Sequence, residues 1–95
     1  MKIIMVKNSK LARFFKVAGI VIYPFVFFAD SDPDAVLINH EMIHVNQIKK
    51  NGYLVFYFLY LKEYLANRAK GMNHNEAYFA ISFEKEAYEN QHKLS

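Results

Sequence analysis

Hydrophobic positions change their period about a third of the way along this chain. Lys2 to Val6, Val17 to Tyr23 and Phe25 to Phe28 are short runs rich in β-branched and aromatic residues, the composition of strands. Lys7-Asn8-Ser9-Lys10 between the first two reads as a turn. Pro24 has no N–H for a sheet ladder, so it predicts an edge strand, or a break, in the Phe25–Phe28 stretch. Helical signals come next. Asp32 precedes Pro33 as an N-cap before a first-turn proline, and a helix is predicted from Pro33 to about Lys50, stopped by Asn51-Gly52. A second helix is predicted from Tyr53 to Lys70, ending at Gly71. Its first half, Tyr53 to Leu61, is apolar all round, which suits the centre of a core or contact with another apolar surface. A third, capped by Asn73 or Asn75, is predicted to end near Gln91. The expected fold is α+β: a small N-terminal antiparallel sheet, then three helices. With no repeat or linker, residues 1–95 form one domain.

Composition narrows the classes. The 95 residues are 54% hydrophobic and 17% aromatic, too apolar for a disordered polymer. The absence of cysteine excludes disulfide scaffolds, thiol nucleophiles and cysteine-ligated zinc fingers. The longest uncharged run, Val17 to Ala29, is 13 residues with Pro24 inside it. A spanning helix needs about 20. Phe28-Ala29-Asp30 is not a small-x-small cleavage site, so a secretory signal is not expected. The expectation is a cytoplasmic domain. Lys2, Lys7, Lys10, Arg13 and Lys16 precede any acid, so the net charge of +3 is unevenly spread. No nucleic-acid-binding motif accompanies these cations, and no nucleic acid partner is expected. Together with Tyr53–Leu61 they leave attachment to a membrane surface as an alternative. Oligomeric state is left open.

The first long helix carries His40-Glu41-Met42-Ile43-His44. Spacing i, i+4 puts two imidazoles one turn apart on one face, able to reach a single cation. Glu41 lies beside them, placed to take a proton from a metal-activated water. Leu37, Ile38, Met42, Ile43 and Val45 surround the pair without charge, as a buried metal helix requires. Asn46 departs from this pattern. A catalytic zinc uses three protein ligands, so one is wanting. His74 at a helix entry and His92 near the end of the chain are candidates, but the third helix offers better. Glu84 sits in a stripe of Ala77, Ala80, Ile81, Ala87 and Tyr88, and a lone carboxylate on an apolar face needs a compensating cation. Glu86 lies on a more polar face. Glu84 is therefore the expected third ligand, with a salt bridge to Arg68 or a lysine as the alternative.

His40-Glu41-x-x-His44 followed by Phe83-Glu84-Lys85-Glu86-Ala87 resembles the gluzincin class of zinc metallopeptidases. It is most similar to the minimal end of that class, the minigluzincins and the catalytic cores of antirepressor-type and CAAX-processing peptidases. It also resembles small bacterial proteins with Asn-His-Glu-x-x-His and Phe-Glu-x-Glu-Ala-Tyr segments. The likeness covers about residues 39–90. It implies a zincin-like core in which zinc is held by His40, His44 and Glu84, Glu41 is the general base, and a peptide or protein is the substrate. The aspartate that in this class comes four residues after the ligand Glu is Tyr88 here, a phenol able to act as an oxyanion donor, as are Tyr64 and Tyr78. The class lays its substrate along a strand beside the metal helix, and Phe25–Phe28 occupies that place in chain order. A non-catalytic zinc-binding regulatory module, or one that works at a membrane surface, is the alternative function.

Overall fold

A computed structural model describes residues 3–14 and 18–93. Lys2, Lys16 and Val17, which belong to the expected strands and basic segment, lie outside them. The fold is α+β: strand β1 (Ile4–Val6), helix α1 (Lys10–Phe14), strands β2 (Gly19–Ile22) and β3 (Phe25–Phe28), then helices α2 (Ala35–Asn51), α3 (Tyr53–Ala69), α4 (His74–Phe79) and α5 (Ser82–Asn90).

The sheet departs from the expected antiparallel arrangement. Its order is β1-β3-β2; β2 runs antiparallel to β3, but β1 runs parallel to it. The cause lies in the stretch read as a turn. Ser9 Oγ accepts from the Ala12 N–H and caps α1, so the chain leaves β1 through a helical crossover and not a hairpin. The Ser9 and Asn8 amides donate to Phe28 and Asp30, which ties the crossover to the end of β3. Asn8 there has φ 54°, a left-handed conformation that asparagine tolerates. Phe25–Phe28 is consequently the central strand, not an edge. Pro24 sits in the β2–β3 turn, where its missing N–H costs no ladder bond and its carbonyl accepts from Ile4 N–H. The strand that flanks β3 on the helical side is β2.

The cap of helix α2 lies two residues after the expected one: Asp34, not Asp32, accepts from Leu37 N–H at 2.8 Å, with Pro33 buried ahead of it. Gly52 ends it with φ 84°, a left-handed conformation that favours glycine, and α3 starts immediately afterwards. The expected third helix is two. Asn73 and Glu76 close a capping box on α4. The chain then turns extended at Ile81, and the Glu63 carboxylate of α3 accepts both the amide and the hydroxyl of Ser82, at 2.8 and 2.9 Å. With Ser82 N–H taken from outside, the helix restarts there in a new direction.

Val26 and Phe28 of the sheet and Val45 of α2 form the core, with Leu37, Ile38, Met42 and Val21 against them. Ile48, Phe56, Ala77, Ile81 and Ala87 are buried among the helices. Phe56 stacks near Phe83, centroids 4.6 Å apart, and Asn67 donates to the Ala77 carbonyl, joining α3 to α4. The outer side of α3 is different: Phe58 is 66% exposed. Phe28→Ala should therefore cost about 3–5 kcal/mol, whereas Phe58→Ala should stay within about 0.5 kcal/mol, in urea unfolding monitored by circular dichroism.

Candidate metal centre

The i, i+4 spacing in α2 brings the two imidazoles together as expected, ring centroids 4.9 Å apart and nearly perpendicular. Each ring is fixed through its Nδ1. The Gln47 amide NH2 donates to the Phe83 carbonyl and the Glu86 carboxylate, both able only to accept. Its Oε1 is thereby the atom facing His44 Nδ1, 2.8 Å away, and Nδ1–H is the donor. Gln91 Oε1 accepts in the same way from His40 Nδ1–H at 2.8 Å. Asn39 secures the end of α5 by donating to the backbone carbonyls of Asn90 and Gln91. With both Nδ1 atoms committed as donors, each Nε2 faces the interior, where it either donates a proton to Glu84 or offers its lone pair to a cation.

Glu84 meets them from α5. One atom, Oε1, lies 3.2 Å from His40 Nε2 and 3.1 Å from His44 Nε2, and the residue is only 3% exposed. Donors held about 2.0–2.1 Å from a tetrahedral zinc are about 3.3 Å from one another, so these separations fit the edges of such a site. The donor set adds a chemical argument. Two imidazole lone pairs and a carboxylate oxygen in mutual contact repel, unless protons or a cation stand between them. One divalent ion satisfies all three at once. Among the described residues, His40, His44 and Glu84 are the group of acids and histidines close enough to hold a metal ion. Among the described residues the expected alternative for Glu84, a salt bridge to Arg68 or a lysine, does not occur: its partners are His40 and His44, and Arg68 donates to Tyr64.

The electrostatics derive from this packing. Burial pushes the Glu84 carboxyl up, but hydrogen bonds from His40, His44 and Tyr60 and the His44 charge outweigh it and hold it well below the carboxylate range. Burial pushes His44 down, and its contacts with Glu84 outweigh that and leave it raised. Glu41 is buried too. Desolvation raises its carboxyl more than His44 and His40 lower it, and the Glu84 charge adds to the rise. The Tyr60 hydroxyl donates to Glu84 Oε2 at 2.6 Å. Burial, then the Glu84 charge, keep both Tyr60 and Tyr78 far above the ordinary phenol range, so both remain O–H donors.

Beside His44 and Glu84 opens a cavity of about 310 Å³, lined by β2, Glu41, His44, Phe56, Tyr57, Tyr60, Tyr78 and Glu84. Gly19 lies at its wall, where an added Cβ would stand in tight contact, 3.2 Å from the Glu41 side chain. Alternation along β2 turns Ala18, Ile20 and Ile22 toward β3, and Ala29 N–H donates to Ala18 accordingly. The N–H and C=O groups of Gly19, Val21 and Tyr23 face the other way. The Tyr57 hydroxyl spans two of these, donating to the Val21 carbonyl and accepting from Tyr23 N–H.

The other expected residues are distributed unevenly. Tyr88 lies edge-on to His40, centroids 4.5 Å apart, and does not line the cavity, whereas Tyr78 does. Tyr64 is engaged with His74 on the exposed side of α3. His92 is exposed beyond α5, and Asn46 is solvent-facing on α2, where polarity costs nothing. Sequence reasoning missed Gln47, Gln91, Tyr60 and Gly19. Gln47 had a signal, being i+3 from His44 on the same helix. Gln91 had none, since 51 residues separate it from His40.

No protein-family model, curated protein or solved structure matches this chain.

The chelated protein should lose stability as the pH rises. A histidine with a raised folded pKa contributes fully below its ordinary 6.5, and the contribution disappears as the pH climbs through the folded value. Glu41, also raised, acts in the same direction from its ordinary 4.5. The melting temperature in a chelator should decline above pH 6.5, and His44→Gln should flatten that decline in thermal scans.

Proposed function

We propose that this chain is a zinc-dependent peptide hydrolase of gluzincin type, with His40, His44 and Glu84 as the ligands. The observation that carries the reading is the convergence of both Nε2 atoms on Glu84 Oε1, with each Nδ1–H engaged by a glutamine carbonyl. Three protein donors beside a cavity suit a catalytic site, since structural zinc sites close the fourth position with protein. Zinc is favoured over harder ions by the two imidazoles. Bound there, it would supply Lewis acidity to a carbonyl and lower the pKa of water.

The chain's own groups have separate tasks. Glu41 faces the cavity and is held above the ordinary carboxylate range, which strengthens it as a base once ionised. It takes the proton of the attacking water and passes it to the leaving amine. Tyr78 and Tyr60 keep their protons and line the cavity, so a hydroxyl donor is available where charge develops on the carbonyl oxygen. Tyr60 is already committed to Glu84, which leaves Tyr78 the better placed. Tyr88 acts through its edge contact with His40, as a positioning residue. The outward N–H and C=O of Gly19 and the N–H of Val21 offer a peptide backbone a short ladder next to Glu41. Glu41 also argues against a purely regulatory zinc module, where an acid held against a cavity would have no task.

Glu41→Gln should retain metal in elemental analysis while cutting hydrolysis of a fluorogenic peptide library by about 10²–10⁴-fold. Glu84→Ala should lose the metal and the activity together. Equal, unaltered turnover in Glu41→Gln, or full metal content in Glu84→Ala, would sink the assignment. Gln47→Ala should weaken zinc binding by about 10–100-fold in competition with a chromophoric chelator.

A further inference from the structure

Helix α3 has an inner face in the fold and an outer face with no described element against it. Leu54, Phe58, Leu61 and Leu65 recur at helical spacing and are 73%, 66%, 57% and 55% exposed. Tyr53 and Val55 widen the patch at its N-terminal end. The stripe is about 16 Å long at the helical rise of about 1.5 Å per residue. Isolated surface leucines need no explanation, but a continuous stripe of this kind marks an interaction site.

Charge identifies the occupant. Between Glu41 and Glu76 the chain carries Lys49, Lys50, Lys62, Arg68 and Lys70 against a single acid, Glu63. That acid lies on the opposite side of α3 and is bonded to Ser82. Lys62 sits one turn beyond Phe58, and Arg68 one turn beyond Leu65, so the border of the stripe is cationic. A second copy docked on this face would set cations against cations with no acid to offset them. No helix among the described residues is long and apolar enough to cross a membrane, and Lys62 interrupts this one. A helix with an apolar outer face and a cationic border suits the interface of an anionic bilayer, lying in its plane.

We propose that the outer face of α3 docks on an anionic membrane surface, with Leu54, Phe58, Leu61 and Leu65 in the headgroup–acyl boundary and Lys62 and Arg68 on the lipid phosphates. This does not rest on the metal centre, whose residues occupy the other side of the helix. The test is co-sedimentation of the full chain with phosphatidylcholine vesicles, with and without phosphatidylserine, at low and high salt. The full chain should bind the phosphatidylserine vesicles at low salt and release at high salt. A Leu54→Ser, Phe58→Ser double variant should lose at least about tenfold in binding, and Lys62→Glu should weaken it with the apolar stripe intact. Circular dichroism and metal content should be unchanged in both, which separates this outcome from a failure of the metal centre. No sedimentation with anionic vesicles would overturn the proposal. So would sedimentation that both variants leave unaltered, or a dimer in analytical ultracentrifugation that the double variant abolishes.

Discussion

Two imidazoles and a carboxylate share one point in the buried interior, and the rest of the architecture serves that contact. Each partner is costly to bury alone. Together they are compatible only because the rings are turned by Gln47 and Gln91 so that both Nε2 atoms face Glu84 Oε1. The two glutamines act from different places. Gln47 lies on the same helix as His44 and is clamped by α5 through Phe83 and Glu86, while Gln91 comes directly after the end of α5 itself. Helix α5 therefore supplies the third donor and also helps to orient the first two. Its separation from α4 at Ile81–Ser82, enforced by Glu63, gives it an axis of its own.

Much of this is legible in the sequence, because the relevant signals are local. The His40–His44 spacing needs only helical geometry. Glu84 stands out as an acid amid Ala77, Ile81 and Ala87, and these three are buried around it. The stops at Asn51-Gly52 and the cap at Asn73 are side-chain and backbone effects within a few residues. The remainder is non-local. Ser9 capping α1 looks like turn chemistry in the sequence, and only the pairing of β1 with β3 reveals a crossover. Pro24 is unable to join a ladder, as expected, but the turn absorbs it, so the penalty falls on no strand. Gly19 carries no message along the chain, because its reason is the Glu41 side chain packed against it.

The displaced edge matters most for chemistry. With β3 central, the backbone that borders the cavity is β2, and the Tyr57 hydroxyl already holds one carbonyl and one N–H of that edge. A long exposed edge invites uncontrolled pairing with other chains. A single phenol from α3 shortens it to the groups of Gly19 and the N–H of Val21, beside Glu41. The same device that protects the edge leaves its free groups beside Glu41 and close to His44 and Glu84.

Helix α3 reconciles these demands in a chain of 95 residues. Its inner face delivers Tyr57 to β2, Tyr60 to Glu84, Glu63 to Ser82 and Asn67 to Ala77, four contacts on three elements, β2, α5 and α4. A helix held at so many points by its polar groups does not need its outer face for stability. That freedom explains how Leu54, Phe58, Leu61 and Leu65 can stay in water without the helix detaching. It also means that covering the stripe requires no movement of Tyr60 or Glu84. A surface docked there would leave the three converging donors as they stand, because the two faces of α3 are coupled through a rigid helix and share no side chain.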